Sequence, residues 1–187
     1  MGTVALSDQQ VAVVTGGASG IGAGIASALS ADGLDVFVLD NNPVHVEAYN
    51  TSHALARARL CDVTSPQTVA DEIAGIIQVA GRIDVLVNNA GVGGGRAVEE
   101  TPLEEVRGVF ETNYFGISRM LLAITPIMRK QRGGRIVNMS SLAGRMVFGC
   151  HGHYSAAKWA LEGLSEALAM EMAEFNVRVA LIEPGSV

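Results

Sequence analysis

Short runs of β-branched and apolar residues alternate along the chain with longer stretches whose apolar positions recur every three or four residues. Gln10–Thr15 predicts a strand that ends in glycines. The pattern from Ile21 to Asp32 predicts a helix, and Gly33 suits the position just past its end. Asp35–Asp40 reads as a second strand and the region from Ala56 to Leu60 as a weaker third. Ser65-Pro66 places a capping residue before a proline at the first helical position. The helix behind it carries Val69, Ile73, Ile76 and Ala80 on one face. Ile83–Val87 predicts a fourth strand, and Thr101-Pro102-Leu103-Glu104 reads as a capping box that opens a long helix over 102–131. Arg135–Met139 is a fifth strand, Tyr154–Phe175 a helix, and Val177–Ile182 a sixth strand.

The strands are nearly all apolar rather than alternating, which is how strands buried on both faces read. Strand and helix in turn imply a mainly parallel sheet wound by right-handed crossovers. No internal repeat, low-complexity stretch or linker interrupts the pattern. The expectation is one doubly wound α/β domain over residues 1–187, three-layered as α/β/α.

Composition narrows the class. A chain of 187 residues suits one domain, and 49% hydrophobic against 17% charged residues argues against disorder. The net charge is −6, with lysine only at 130 and 158, the wrong balance for binding nucleic acid through phosphates. Cys61 and Cys150 cannot build a disulfide framework, which fits a reducing compartment. No apolar run approaches the ~18 residues of a membrane span, and no signal-peptide pattern opens the chain. Met-Gly begins it, but Leu6 stands where a myristoylation signal needs Ser or Thr. A soluble, slightly acidic, cytoplasmic domain is expected, with no membrane partner.

Thr15-Gly16-Gly17-Ala18-Ser19-Gly20-Ile21-Gly22 lies between the first strand and the first helix. Glycine allows both a sharp turn and a close approach of ligand to backbone, and a helix N-terminus favours a pyrophosphate. A tight turn alone also selects glycine, but strand before and helix after is the context a dinucleotide needs. Asp40 ends the second strand 18 residues past Gly22, near the spacing at which a carboxylate takes the adenosine ribose hydroxyls. The plain alternative is a solvated strand-end residue or a cap for the next turn. Asp62 follows the third strand, where it could face the adenine or serve a turn. No Gly-Lys-Ser/Thr follows the glycines and no Gly-x-Ser-x-Gly occurs, so a P-loop hydrolase and a serine-hydrolase elbow are excluded.

Two apolar stripes carry polar intruders. Leu103, Val106, Phe110, Asn113, Ile117, Met120 and Ile124 form one, with Asn113 at a core position. Tyr154, Lys158, Leu161, Ser165, Leu168, Met172 and Phe175 form the other, with a phenol and an ammonium four residues apart on one face. An inward lysine either snorkels or works, because burying an unpaired charge is expensive. A cation beside Tyr154 would lower the phenol's pKa from near 10 and suit it to proton exchange with a hydroxyl or carbonyl. Ser140-Ser141 lies at the C-terminal end of the fifth strand, where ligands of such sheets sit. Cys150-His151-Gly152-His153 offers three ligand types in four residues, poor geometry for a closed metal site, so no metal is expected. Arg96, Met146, Phe148 and His151 are candidates for lining the substrate pocket.

These residues resemble the short-chain dehydrogenase/reductase family along the whole chain and in order. The matching pieces are the glycine turn, Asp62, Asn88-Asn89-Ala90-Gly91, Asn113, Ser141, Tyr154-Ser-Ala-Ala-Lys158 and Pro184-Gly185. Ser141 stands 13 residues before Tyr154, the family's usual interval, and is therefore preferred over Ser140. The resemblance implies a Rossmann fold, with Tyr154 as acid/base, Lys158 holding the ribose and tuning the tyrosine, Ser141 orienting substrate, and Asn113 positioning a water. It implies cofactor contacts from Gly16, Ser19, Gly20, Ile21, Gly22, Asp40, Asp62, Val63, Asn89, Ala90, Gly91, Tyr154, Lys158, Pro184 and Gly185. Asp40, with the uncharged Asn41 and Asn42 beside it, favours NAD over NADP. Homo-oligomers pairing helices 102–131 and 154–175 are expected, with Ala156, Ala157, Ala160 and Gly163 allowing close approach. Family members usually continue past Pro184-Gly185 with a substrate-covering segment and a further strand, so the sequence reads as truncated at its C-terminus. Two functions follow. One is an oxidoreductase that interconverts a small secondary alcohol and a ketone. The other is a dinucleotide-binding module without turnover.

Overall fold

Five consecutive residues, Val11–Thr15, form β1, and every one of them is buried. In the computed structural model, which describes residues 9–53 and 57–185, β1 is hydrogen-bonded in parallel on both sides. One neighbour is β2 (Asp35–Asp40) and the other is β4 (Val85–Asn88). With β3 (Ala58–Leu60), β5 (Gly134–Met139) and β6 (Val177–Ile182), the sheet runs β3-β2-β1-β4-β5-β6, parallel throughout. The order reverses between β1 and β4, so connections leave in opposite directions and open a crevice at the carboxyl ends of those strands. Leu6, Ala56 and Ser186-Val187 lie outside the described residues.

Helices cover the two faces unequally. Phe37, Leu86 and Ile136 pack beneath α3 (Pro66–Ala80), α5 (Ile117–Gln131) and α6 (Gly152–Met172). Ala12, Val14, Val38 and Val87 face the other way, toward α1 (Gly20–Ala31) and α2 (Pro43–Ser52). That second face carries no helix over β5 and β6 among the described residues. An apolar groove of about 690 Å³ lies there, lined by Ile25, Leu29, Val85, Val137, Met139 and Ile182 among others. The expectation of strands buried on both faces accordingly fails for β6, an edge strand in which Arg178, Ala180 and Ile182 are exposed.

One helix escapes the periodicity, and two further expectations need correction. Helix α2 was not anticipated, although Asn42-Pro43 is the same start signal as Ser65-Pro66: Asn42 Oδ1 accepts from the Val44 and His45 N–H groups at 3.0 and 3.3 Å. Its apolar face is thin, with Tyr49 the one buried residue, so periodicity gave nothing to find. The capping box at Thr101–Glu104 does not form. Pro102 is the cap of α4 (Leu103–Phe110), and Thr101 Oγ1 instead donates backward to Ala97 O at 2.8 Å. The single helix over 102–131 is α4 and α5 joined by a wide π-turn at Glu111–Gly116. The wide turn re-phases the helix. Leu103 is therefore 56% exposed, and Val109, off the expected stripe, is the buried residue of α4.

The stripe on α6 holds from Lys158 to Met172, with Lys158, Leu161, Ser165, Leu168 and Met172 buried, while Tyr154 is half-buried and Phe175 lies past the helix in a 3₁₀ turn. Ala157, expected to face a partner chain, is instead fully buried within its own. A polar chain crosses this core. Asn88 Nδ2 donates to Asn138 Oδ1, Asn138 Nδ2 to Ser165 Oγ, and Ser165 Oγ to Leu161 O, at 2.8, 2.8 and 2.7 Å. No helix among the described residues is long and apolar enough to cross a membrane.

Candidate active site

The turn after β1 takes backbone conformations that require glycine. Gly16 and Gly20 have φ of +60° and +53°, and a Cβ on Gly22 would stand 2.1 Å from Gly16 O. The first turn of α1 thus lies directly on the loop, which no side chain at 22 would permit. Thr15 Oγ1 accepts from the N–H groups of Asn89 and Ala90, both at 3.1 Å, and Asn89 Nδ2 donates to Thr15 O and Gly16 O. These bonds fix the loop after β4 against the loop after β1. Ser19 caps α1 with no side-chain hydrogen bond, and no acid stands in the first helical turn. The N–H groups there are open to an anion.

A cleft of about 380 Å³ follows. Gly16, Ser19, Ile21, Gly22, Asp40, Asp62, Val63, Asn89, Ala90 and Gly91, all candidates for cofactor contact, line it. Asn41, Asn42, His45, Cys61, Thr64, Val92 and Thr112 also line it and were not expected as contacts. Asp40 is only 7% exposed, and its carboxylate accepts from Ala18 N–H at 3.2 Å and Asn42 N–H at 3.0 Å. Asp62 Oδ1 accepts from Thr64 N–H and Oγ1 at 2.9 and 2.8 Å, a turn bond that leaves its other oxygen for a ligand. Burial pushes the Cys61 thiol up to about 11, which leaves little thiolate at neutral pH.

A second cleft, of about 290 Å³, shares Ile21, Asn89, Gly91 and Val92 with the first. Ser140, Ser141, Tyr154, Lys158, Pro184 and Gly185 line the rest with Gly93 and Met139. Lys158 is 5% exposed, donates from Nζ to Met139 O at 2.7 Å, and stands 5.7 Å from the Tyr154 ring centroid. Burial lowers its pKa to about 8, while the charge of Glu162 pulls the other way. Ser141 Oγ accepts from Ala143 N–H at 3.1 Å and caps a short 3₁₀ turn, Leu142–Gly144. The Leu142 N–H donates to Pro184 O at 3.0 Å, so the Ser141 turn and Pro184-Gly185 are bonded neighbours.

Two expected residues stand outside both linings. Gly20 contributes its backbone conformation alone. Asn113 is fully buried in the wide turn, where Oδ1 accepts from Val92 N–H and Nδ2 donates to Val92 O, each at 2.8 Å. It holds the wall rather than forming it. A narrow hollow beside Tyr154 is lined by Gly94, Gly95, Arg96, Cys150, His151 and His153 among others. Met146 and Phe148, candidates for the same role, line none of these cavities and are about half exposed. No group of three or more metal-ligating side chains is present among the described residues.

An open parallel sheet with a glycine turn after β1, and a Tyr-Lys pair at the mouth of the reversal, defines a doubly wound, Rossmann-type scaffold. Residues 10–187 match the short chain dehydrogenase family, and the chain belongs to it. It is 41% identical over 176 residues to a 3-ketodihydrosphingosine reductase of Bacteroides thetaiotaomicron, covering 94% of this chain and 63% of that protein. A crystal structure of NAD+-bound xylitol dehydrogenase superposes with a TM-score of 0.90 at 33% identity, covering 94% of this chain and 70% of that one. A metagenomic short-chain oxidoreductase in complex with NADP gives 0.88 at 36%, covering 95% and 83%. The chain spans under two thirds of the length of the curated relative.

Proposed function

We propose that this chain is the NAD(P)-binding domain of an oxidoreductase that interconverts a small secondary alcohol and a ketone, with NAD(H) preferred. The observation that carries this reading is Lys158: a buried ammonium, tied to Met139 O and set beside the Tyr154 ring, at the floor of a cleft continuous with the glycine turn. The turn suits a nicotinamide dinucleotide, because Gly16 and Gly22 leave no room for side chains where the loops meet. When bound, such a cofactor accepts or donates a hydride.

The chain's own residues supply the rest. Tyr154 holds the proton that moves to or from the substrate oxygen, and the Lys158 cation stabilises the phenolate that remains. Ser141 Oγ keeps its own proton free to donate to the same oxygen, since it acts as acceptor toward Ala143 N–H. Asn113 holds Val92 in place between the two clefts. Asp40, Asp62 and Val63 serve the adenosine half, and Ala90, Gly91, Pro184 and Gly185 the half nearest Tyr154. Pairing of two copies through α4–α5 and α6 is supported by the exposed Phe115, Leu122, Trp159 and Met170 on those elements.

A dinucleotide-binding module without turnover is the second reading, favoured by the apolar groove over β5 and β6, whose lining reaches Met139 and Pro184 behind the second cleft. The test is a panel of secondary alcohols with NAD+ and of ketones with NADH, followed by nicotinamide absorbance, beside an NADH-binding titration. Turnover that disappears in Tyr154→Phe supports the enzyme. Binding without turnover on any panel member supports the module, and absence of dinucleotide binding overturns both.

A further inference from the structure

Behind the Ser141 turn lies a charged cluster that the chemistry above meets only through the Glu162 charge acting on Lys158. Glu162 stands one helical turn past Lys158 on α6 and is 6% exposed. Neither of its carboxylate oxygens has an aligned hydrogen bond among the described residues. Arg145 Nη2 is an ion-pair partner at 3.2 Å. The same guanidinium donates from Nε to Glu183 Oε1 at 2.9 Å and lies 4.0 Å from the exposed Glu166. One side chain therefore joins the turn after β5, the helix of Tyr154 and Lys158, and the residue that precedes Pro184-Gly185.

The contact is close enough to set positions. A Cβ on Gly144 would stand 2.6 Å from Ser140 Oγ and 2.9 Å from Glu162 Oε1, so the turn rests directly on the carboxylate. Gly144 N–H bonds back to Ser141 O at 2.8 Å and Arg145 N–H to Leu142 O at 2.9 Å. Moving Glu162 or Arg145 moves the turn that Ser141 caps. Stability alone is a poor account of the pair, because an apolar side chain at 162 would pack α6 without desolvating a charge.

We propose that Arg145 and Glu162 are positioning residues that hold Ser141 and Pro184-Gly185 in register with Tyr154 and Lys158. The proposal rests on the reading of Ser141, Tyr154 and Lys158 given above.

A double-mutant cycle on the full chain tests it, with Arg145→Met, Glu162→Gln, the double variant, Arg145→Lys as the conservative change and Glu166→Gln as control. Each single change is expected to lower kcat by about tenfold or more, and the double by no more than the worse single, as for residues acting as one unit. NADH affinity should fall less than kcat. Glu162→Gln should hardly move Tm, whereas Arg145→Met leaves a buried carboxylate unpaired and should lower it. Arg145→Lys should recover part of the kcat, and Glu166→Gln should match wild type. Losses that multiply in the double variant, or that in Glu162→Gln follow Tm, overturn the proposal. If Arg145→Met does not fold, Glu162→Gln, which keeps its shape, decides through kcat against Tm. A chain that binds NADH and turns nothing over counts against the proposed function only. The same variants are then read by amide hydrogen exchange over Ser141–Gly144, expected to be about tenfold faster, with unchanged exchange overturning the proposal.

Discussion

Asn113 and Val92 exchange two hydrogen bonds of 2.8 Å, so the side-chain amide of one serves both backbone groups of the other. The amide is fully buried in a wide helical turn, and the residue it holds lines both clefts. Asn113→Leu keeps the approximate size and removes both partners. Loss of paired backbone groups in a part-buried setting costs about 1–3 kcal/mol, so urea unfolding should show a decrease of that order. NADH affinity should fall with it. A variant as stable as wild type, with unchanged affinity, would show that Val92 finds other partners.

Tyr154→Phe removes one hydroxyl and leaves the packing of α6 as it is. Turnover is expected to drop by about 10² or more, the scale of general acid–base catalysis, with NADH affinity little changed. Near-normal turnover would move the proton to another group, with His153, at the neighbouring hollow, the first to examine.

Asp40 should decide between the two nicotinamide cofactors. Its carboxylate is buried at the cleft, and Asn41 and Asn42 beside it carry no charge to pair a 2′-phosphate. NADPH is expected to bind at least about tenfold more weakly than NADH, and Asp40→Asn to narrow the gap. Equal affinity of the wild-type chain for both would refute this reading of the carboxylate.

Gly22 and Gly24 sit on the same helix and should respond oppositely to alanine. At 22 the new Cβ meets Gly16 O at 2.1 Å, whereas at 24 nothing lies within 4 Å. Gly22→Ala is expected to abolish dinucleotide binding and destabilise the fold. Gly24→Ala should raise stability by about 0.5–1 kcal/mol, the helix-propensity difference between the two residues. Thermal melts and NADH fluorescence separate the outcomes, and a harmless Gly22→Ala would contradict the geometry of the turn.

Lys158 makes stability depend on pH in a definite direction. Burial holds its pKa at about 8 against 10.5 for a free ammonium. Between those values the unfolded chain binds a proton that the folded chain lacks, so stability rises with pH through the window. Relative to Lys158→Met, wild type should gain about 2 kcal/mol from about pH 8 to about pH 10. Cys61 and Tyr49, raised by burial, act in the opposite sense but are common to both proteins. A constant difference between the two across that range would place the ammonium in water.

The sheet and the line of the site were legible because they rest on local signals. β-branched runs, glycines between strand and helix, and a lysine on an apolar stripe each have few physical explanations. What was not legible depends on contacts remote in sequence. Thr101 bonds to Ala97 rather than capping α4, because the segment before it curls into a 3₁₀ turn at Val98–Glu100. The wide turn carries Asn113, whose amide binds both backbone groups of Val92, 21 residues earlier. No periodicity in α4 could report that. Helix α2 was the exception, since Asn42-Pro43 announced it and only the weak apolar face hid it. Arg145 and Glu162 carried no signal at all, because a lone charge on a helix reads as solvated until its surroundings are known.

The Asn88–Asn138–Ser165 chain bears on how the parts come to be aligned. Valine, isoleucine and leucine are near-equivalent partners, and sliding β5 by two residues along β4 would still bury an apolar face. Asn88 faces Asn138 in the observed pairing, with Leu86 facing Ile136. A slip one way would set Asn88 against Ile136 and Asn138 against Ala90, and the other way Asn138 against Leu86, stranding amide atoms in the interior at a cost of several kcal/mol. The three side chains therefore act as registration marks. They select one pairing among many that greasy surfaces alone would accept, and they bring the ends of β4 and β5 and the helix of Lys158 to a common level.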